Sequence, residues 1–177
     1  MEILEPYYAG IPAELLPDLQ RFPIRVVLDN LRSAYNVGSI FRTSDAGAIE
    51  HIHLCGLTAH PPNPKLEKTA LGAFEYVPWT YHEQTAGTLA ALRDEGLAVI
   101  GVENAPGAEV YCAFAWPRPV VLVVGNEVEG VAPEVLSLCD HRVAIPVLGY
   151  KRTLNVATAF GIVLFEVLRQ WGALLSE

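Results

Sequence analysis

The sequence predicts an α/β fold in which a parallel sheet is covered by helices on both faces. Short apolar or β-branched runs alternate with segments whose apolar residues recur at helical spacing, the order typical of such a sheet. Strands are predicted at residues 25–30, 51–56, 75–80, 97–103, 120–126 and 142–147. The length of 177 residues suits a single domain spanning 1–177, beginning with a proline-rich arm at residues 1–22.

The predicted helices lie between these strands. Apolar residues recur at helical spacing over residues 37–48, 89–93 and 133–138, whereas the proline-rich segment 61–68 predicts an exposed loop. The last helix, from residue 153 or 154 to about Leu175, is apolar on nearly all sides as far as Leu168. Because one sheet cannot cover such a helix, we expect Val156, Phe160, Val163, Leu164, Val167 and Leu168 to form the seam of a homodimer.

The composition disfavours membrane and secreted proteins. The apolar stretch near Phe160 to Phe165 is too short to cross a bilayer, and the acidic N-terminal segment lacks the features of a secretion signal. We therefore expect a cytoplasmic protein with no membrane partner. The three cysteines, Cys55, Cys112 and Cys139, form no CxxC pair, which predicts buried and reduced thiols.

The net charge of −8 disfavours nucleic-acid binding, which depends on Lys and Arg at phosphates. However, seven of the twelve Lys and Arg residues lie in three short segments of the chain. A local basic patch on an acidic protein is therefore compatible with this composition. Its members are Arg25, Arg32, Arg42, Lys65, Lys68, Lys151 and Arg152.

Three polar segments follow predicted strands. They are NVGSIFRT at 36–43, VVGNEVEGV at 123–131 and IPVLGYKRTLNVATAFGIVLFE at 145–166. Taken singly, each also fits a structural role, with Asn36, Thr153 and Asn155 as helix caps and Gly125 in a strand-to-helix turn. In an open α/β sheet, however, ligands bind beyond the carboxyl ends of the strands. Together the three segments predict one composite site.

Other chemistries find weaker support. The spacing from Gly125 to Gly130 lacks the Lys and Ser/Thr of a P-loop, and neither GxSxG nor GxGxxG follows a strand. His51 and His53 have the spacing of metal ligands on a strand, but the sequence indicates no third ligand. We therefore expect no metal.

The three segments, in this order and at these separations, resemble the signature motifs of the SpoU/TrmH branch of the SPOUT RNA methyltransferases. The similarity spans roughly residues 26–171 and includes KTALGAFEYVPW at 68–79. It implies a deep C-terminal trefoil knot, which general topology rules would have excluded. It also implies a homodimer that transfers methyl groups from S-adenosylmethionine to a ribose 2′-hydroxyl of RNA. We expect no added RNA-binding domain of the kind found in larger members, which favours tRNA over rRNA.

The resemblance also assigns roles to individual positions. Arg42 is the expected catalytic residue. Because arginine normally stays protonated, either it removes the hydroxyl proton or it holds the phosphate and the 2′-oxygen. The other expected catalytic residues are Asn36, Glu127, Thr153 and Asn155, with Glu127 fixing the guanidinium. The cofactor is expected at Val102, Glu103, Gly125, Asn126, Ile145, Val147, Gly149, Thr153 and Leu154, the glycines allowing close approach. RNA contacts are expected from Arg25, Arg32, Lys65, Lys68, Lys151 and Arg152.

Two positions depart from the commoner family pattern. Thr153 replaces the usual serine, and Ala157 stands where a second small hydroxyl residue is frequent. Thr153 keeps the hydroxyl, so neither binding nor catalysis is in doubt on its account. Two alternatives are a non-catalytic RNA- or S-adenosylmethionine-binding module of the same fold and a structural protein assembled through its last helix. The joint presence of Arg42, Asn36, Glu127 and Asn155 argues against the first, and the polar strand-end loops argue against the second.

Overall fold

The computed structural model describes residues 19–174 and contains a seven-stranded, wholly parallel sheet. Its strands are β1 (Phe22–Asp29), β2 (Ile49–Cys55), β3 (Trp79–His82), β4 (Ala98–Val102), β5 (Glu109–Val110), β6 (Val120–Gly125) and β7 (His141–Ala144). The helices are α1 (Ala34–Ala46), α2 (Pro64–Ala70), α3 (Ala73–Tyr76), α4 (Thr85–Asp94), α5 (Pro133–Leu136) and α6 (Val156–Gln170). The spatial order of the strands is β3-β2-β1-β6-β4-β7-β5.

Helices cover both faces of the sheet, which confirms the predicted fold class. Successive side chains of a strand point to opposite faces, so β1 contributes to two separate cores. Val26 and Leu28 pack with residues of α1 and α6, whereas Val27 packs with residues of α4 and α5. The buried strands β1 and β6 are therefore nearly continuous apolar runs, as expected of a sheet covered on both sides.

Two local predictions are wrong. Residues 73–76 form the short helix α3, and β3 begins only at Trp79, after Pro78. The predicted loop 61–68 contains the start of α2, where the Asn63 side chain caps the helix and Pro64 occupies its first turn. Proline suits that position because its missing N–H would have no partner within the helix. The two-residue strand β5 was not predicted because so short a run carries no periodic signal.

The last helix is shorter than predicted and already covered within the chain. Phe160, Val163, Leu164, Val167 and Leu168 are at most 2% exposed. They belong to the same core as the apolar residues of α1 and β1, so one chain does bury this face. The prediction that these five residues form a dimer seam is therefore wrong, while Val156, the sixth, is partly buried. A homodimer would have to use other surfaces.

Three further predictions concern the ends of the chain, its cysteines and membranes. Phe22 opens β1, while residues 1–18 of the predicted arm and Leu175 lie outside the described residues. Cys55 is buried and Cys139 partly buried, but Cys112 is exposed, contrary to the prediction. Within residues 19–174, every helix is too short or too polar to cross a bilayer.

Candidate active site

A cavity of about 470 Å³ brings residues of all three polar segments together. It lies where β4, β6 and β7 end, as predicted for an open α/β sheet. Its volume is in the range of small-molecule sites. The lining residues are Asn36, Val102, Glu103, Asn104, Val124, Gly125, Asn126, Glu127, Val128, Glu129, Gly130, Ile145, Val147, Arg152, Thr153, Leu154, Asn155, Val156 and Ala159.

A chain of side-chain hydrogen bonds links the three segments across this cavity. The Asn36 amide donates to Glu127 Oε1 at 2.9 Å, and its oxygen accepts from Asn155 Nδ2 at 3.0 Å. Asn155 Oδ1 in turn accepts the backbone N–H groups of Ala157 and Thr158 at the start of α6. The three polar residues thus fix one another's orientation.

The two helix starts use different caps from those expected. Ser33, not Asn36, caps α1, and its hydroxyl accepts the backbone N–H of Asn36. The Asn36 side chain, three residues into the helix, is therefore available for the site. Asn155 does cap α6, as its position at the helix start indicated, and also bonds to Asn36. A capping role and a site role coexist at Asn155.

The Glu127 carboxylate binds neutral donors rather than an arginine. Its oxygens accept the backbone N–H groups of Arg32 and Ser33 as well as the Asn36 amide. Partial burial opposes its ionisation, but the bonds from Asn36 and these backbone groups outweigh that effect and lower its pKa. Glu127 is therefore a fixed anion, and the predicted pairing with the Arg42 guanidinium is not formed within this chain.

Two further carboxylates hold the loop between β6 and α5. Asp29 is 1% exposed and accepts from Thr85 Oγ1 at 2.6 Å and from the backbone N–H of Ala132 at 3.1 Å. Glu103 accepts the backbone N–H of Val131 with one oxygen and that of Asn104 with the other. Glu103 lines the cavity, but its carboxylate is engaged by these backbone N–H groups. Asp29 lies outside the three motifs, although its position as an acid at the end of an apolar strand could have indicated it.

The two glycines expected at a ligand differ in their surroundings. A Cβ atom at Gly125 would overlap the backbone of Gly130 and Val131, so this position requires glycine for the chain's own packing. Gly149 is exposed, has open space around it and does not line the cavity. The close approach expected at Gly149 is therefore not present.

Arg42 lies outside the cavity. It follows Asn36 by six residues on α1, about 9 Å along the helix axis at 1.5 Å per residue. Its side chain is exposed and makes no hydrogen bond or ion pair with another residue of 19–174. The catalytic set predicted from the resemblance is thus assembled in one chain except for Arg42.

The basic residues predicted to contact RNA fall into separate groups. Arg152 lines the cavity, Lys151 precedes it, and the backbone of Arg32 bonds to Glu127. Lys65 and Lys68 are exposed on α2, outside the cavity. Arg25 belongs neither to the residues at the cavity nor to the lysines on α2. It pairs with Glu50 at 2.9 Å and with Glu95, just after α4, at 2.6 Å. The carboxylate pair occupies its guanidinium, so this structure gives no support to the RNA contact predicted for Arg25.

The two histidines considered as metal ligands meet a third. His53 Nδ1 lies 3.0 Å from His82 Nε2, and His51 Nε2 lies 2.9 Å from Thr80 Oγ1. Burial is the main cause of the low pKa of His53, about 3, aided by His51 and His82. Among residues 19–174, these side chains and their neighbours do not form a three-residue group suited to a metal ion.

The part of the chain that carries the three segments matches a known protein family. The sequence profile described as the SpoU rRNA Methylase family matches residues 23–165, which include all three segments almost entirely. The chain belongs to this family. The resemblance seen in the motifs is therefore confirmed for the SpoU/TrmH methyltransferases.

Relatives of this SpoU family member include enzymes named for rRNA and for tRNA. The 23S rRNA (guanosine-2′-O-)-methyltransferase RlmB of Ralstonia nicotianae is 34% identical over 89% of this chain and 63% of that protein. The structure of an AdoMet-bound rRNA methyltransferase from Sinorhizobium meliloti has a TM-score of 0.80, with 32% identity, over 91% of this chain and 61% of that one. For the A. aeolicus TrmH/SpoU tRNA modifying enzyme the TM-score is 0.76 and the identity 27%, over 89% of this chain and 83% of that one. The chain thus spans less than two thirds of the length of the first two relatives.

Proposed function

We propose that this protein is an S-adenosylmethionine-dependent RNA 2′-O-ribose methyltransferase. The observation that carries the proposal is the hydrogen-bonded chain Glu127–Asn36–Asn155, which joins the three family motifs around one cavity. Membership in the SpoU family and the similarity to an enzyme named as a guanosine-2′-O-methyltransferase support the same chemistry.

The cavity fits S-adenosylmethionine in size and in lining. Val102, Ile145, Val147 and Leu154 provide apolar walls for an adenine ring, and backbone groups of the surrounding loops provide polar partners. The AdoMet-bound relative from Sinorhizobium meliloti supports this ligand. When bound, S-adenosylmethionine supplies the methyl group. The loops that would hold it are those of the trefoil knot that the family resemblance implies, and the knot is part of this proposal.

The residues of this chain would align the ribose and assist loss of its proton. Methyl transfer requires the 2′-oxygen to lie in line with the methyl group, so positioning carries much of the catalysis. Asn36, Thr153 and Asn155 offer polar groups at the cavity, and Glu127 holds Asn36 in place. Arg42 would bind the RNA phosphate and the 2′-oxygen or take up the proton.

A homodimer would bring Arg42 to a cavity that it does not reach within its own chain. Arg42 and Tyr35 are exposed on α1, Leu154 just precedes α6, and Phe165 lies within α6, the last two each 40% exposed. Since α1 and α6 pack side by side, these exposed residues are candidates for contact with a second copy. In that assembly Arg42 of one copy would serve the cavity of the other.

The RNA substrate has two candidates. The A. aeolicus tRNA modifying enzyme, whose length this chain covers to 83%, favours tRNA. The relatives named RlmB favour rRNA. The experiment that separates them is a map of ribose 2′-O-methyl groups in total RNA from a deletion strain and its parent. We expect a methyl group to be lost from tRNA, and loss from 23S rRNA alone would assign the rRNA instead.

The same strains test for the non-catalytic alternative. Wild-type protein should restore the missing methyl group, whereas Arg42→Ala should not. Restoration by Arg42→Ala would contradict the catalytic role of Arg42. A profile identical in the deletion strain and its parent, together with S-adenosylmethionine binding by the purified protein, would favour a binding module of the same fold.

A further inference from the structure

Two large side chains stand free in the loop between β7 and α6. Leu148 and Tyr150 are each 97% exposed, the highest values among the large apolar residues of 19–174, followed by Leu57 and Val128 at 79%. Single exposed apolar residues are common on protein surfaces. Here, however, two of them occupy a loop tip, where they contribute almost no packing to the chain. Their side chains are therefore available for a partner.

The stretch of sequence that carries this tip differs in charge from the rest of the chain. From His141 to Phe165 there is no Asp or Glu, although the chain has 20 acidic residues and a net charge of −8. Within this stretch, Lys151 and Arg152 directly follow Tyr150, and both are exposed. An exposed aromatic ring beside two cations is the combination that single-stranded nucleic acid favours, because bases stack on the ring and phosphates pair with the cations.

The tip stands beside the proposed reaction site. Val147 precedes it and lines the cavity, and so do Arg152 and Thr153, which follow it. A nucleotide whose 2′-oxygen lies at Thr153 and Asn155 would place its base, or that of the adjacent nucleotide, near this loop. Tyr150 is the single aromatic residue between Ile145 and Asn155.

We propose that Tyr150 stacks on a nucleobase of the RNA at or next to the methylated ribose, while Lys151 and Arg152 bind its phosphates. The proposal rests on the proposed methyl transfer to RNA. Stacking requires an exposed face of the base, so the stacked nucleotide is unpaired when it binds. Tyr150 is a residue that selects the RNA and does not take part in the chemistry.

The test compares Tyr150→Ala, Tyr150→Phe and wild type. A matched control is Tyr76→Ala, since Tyr76 is an exposed tyrosine on α3, outside the cavity. The probe is a short unstructured oligoribonucleotide containing 2-aminopurine, alone and annealed to its complement, at low ionic strength. Fluorescence anisotropy gives the affinity, and quenching of 2-aminopurine reports stacking.

We expect Tyr150→Ala to weaken single-strand binding about tenfold and to abolish the quenching, within the usual contribution of one stacked base. Tyr150→Phe keeps the ring and should stay within about twofold of wild type, as should Tyr76→Ala. S-adenosylmethionine affinity should be the same in all four proteins. The cofactor measurement distinguishes failure of the stacking proposal from failure of the proposed methyltransferase function. If the wild-type protein did not bind S-adenosylmethionine, the methyltransferase function itself would be contradicted.

Three results would overturn the proposal. The first is unchanged oligoribonucleotide binding by Tyr150→Ala, and the second is equal loss in Tyr150→Phe, which would indicate the hydroxyl group instead of the ring. The third is a change in sedimentation of Tyr150→Ala from dimer to monomer, which would show that a second copy of the chain covers the tip.

Discussion

Replacing Asp29 by asparagine tests whether a buried carboxylate holds the loop at the cavity. Asp29 is 1% exposed and accepts three hydrogen bonds, from Thr85 Oγ1, the Asn30 amide and the backbone N–H of Ala132. Asparagine has the same shape, but its NH₂ group would face either the Ala132 N–H or the two side-chain donors. A buried donor would then lack an acceptor, at a cost of about 1–3 kcal/mol.

We expect Asp29→Asn to lower the free energy of unfolding by about 2 kcal/mol, measured by urea denaturation and circular dichroism. S-adenosylmethionine affinity, measured by calorimetry, should also fall, because Ala132 fixes the end of the loop that begins at Gly125. The control is Asp94→Asn, the same change on an exposed carboxylate at the end of α4. If Asp29→Asn were as stable as Asp94→Asn and bound the cofactor equally well, the role given to Asp29 would be wrong.

Three other perturbations probe the site, the assembly and the histidines. Arg42→Ala should reduce methyl transfer at least about 100-fold, the usual minimum for such a group, and leave S-adenosylmethionine affinity within a few-fold; equal loss of both would place Arg42 at the cofactor. Phe165→Glu should give folded, inactive monomers in sedimentation, whereas Phe160→Asp, in the core, should unfold the chain; an active dimer of Phe165→Glu would exclude that surface. Because burial lowers the pKa of His53 from 6.5 to about 3, the unfolded chain binds an extra proton between these pH values. Stability should therefore fall as the pH drops below 6.5, by up to about 1.4 kcal/mol per unit, and less steeply in His53→Gln than in the exposed-site control His60→Gln.

Strong periodic patterns in the sequence predicted most of the sheet. The strands β1 and β6 are apolar runs closed by polar or turn residues, so their positions follow from the local order of residues. The helix α2 was not predicted because Pro61, Pro62 and Pro64 together indicate a loop. Pro64 is nevertheless compatible with a first helical turn, which Asn63 caps. The local sequence alone does not distinguish a proline in a loop from a proline in the first turn of a helix.

The site residues that lie within the motifs could be predicted from the sequence. The contacts that form when distant segments of the chain approach one another could not. Asn36, Glu127 and Asn155 were expected together, and their hydrogen bonds join them. The neutral surroundings of Glu127 could not be predicted, because Arg32 and Ser33 bind it through backbone N–H groups that every residue possesses. The buried seam expected on α6 was wrong for a related reason, since only the fold shows that α1 covers this helix.

The most direct test of the central claim is the chemical identity of the product. Purified protein is incubated with S-adenosylmethionine labelled in the methyl group and with total RNA from the deletion strain, and the RNA is digested to nucleosides. We expect the label in a single 2′-O-methylnucleoside, formed by wild-type protein and not by Arg42→Ala. Label on a base, or no transfer by a protein that binds S-adenosylmethionine, would contradict the account.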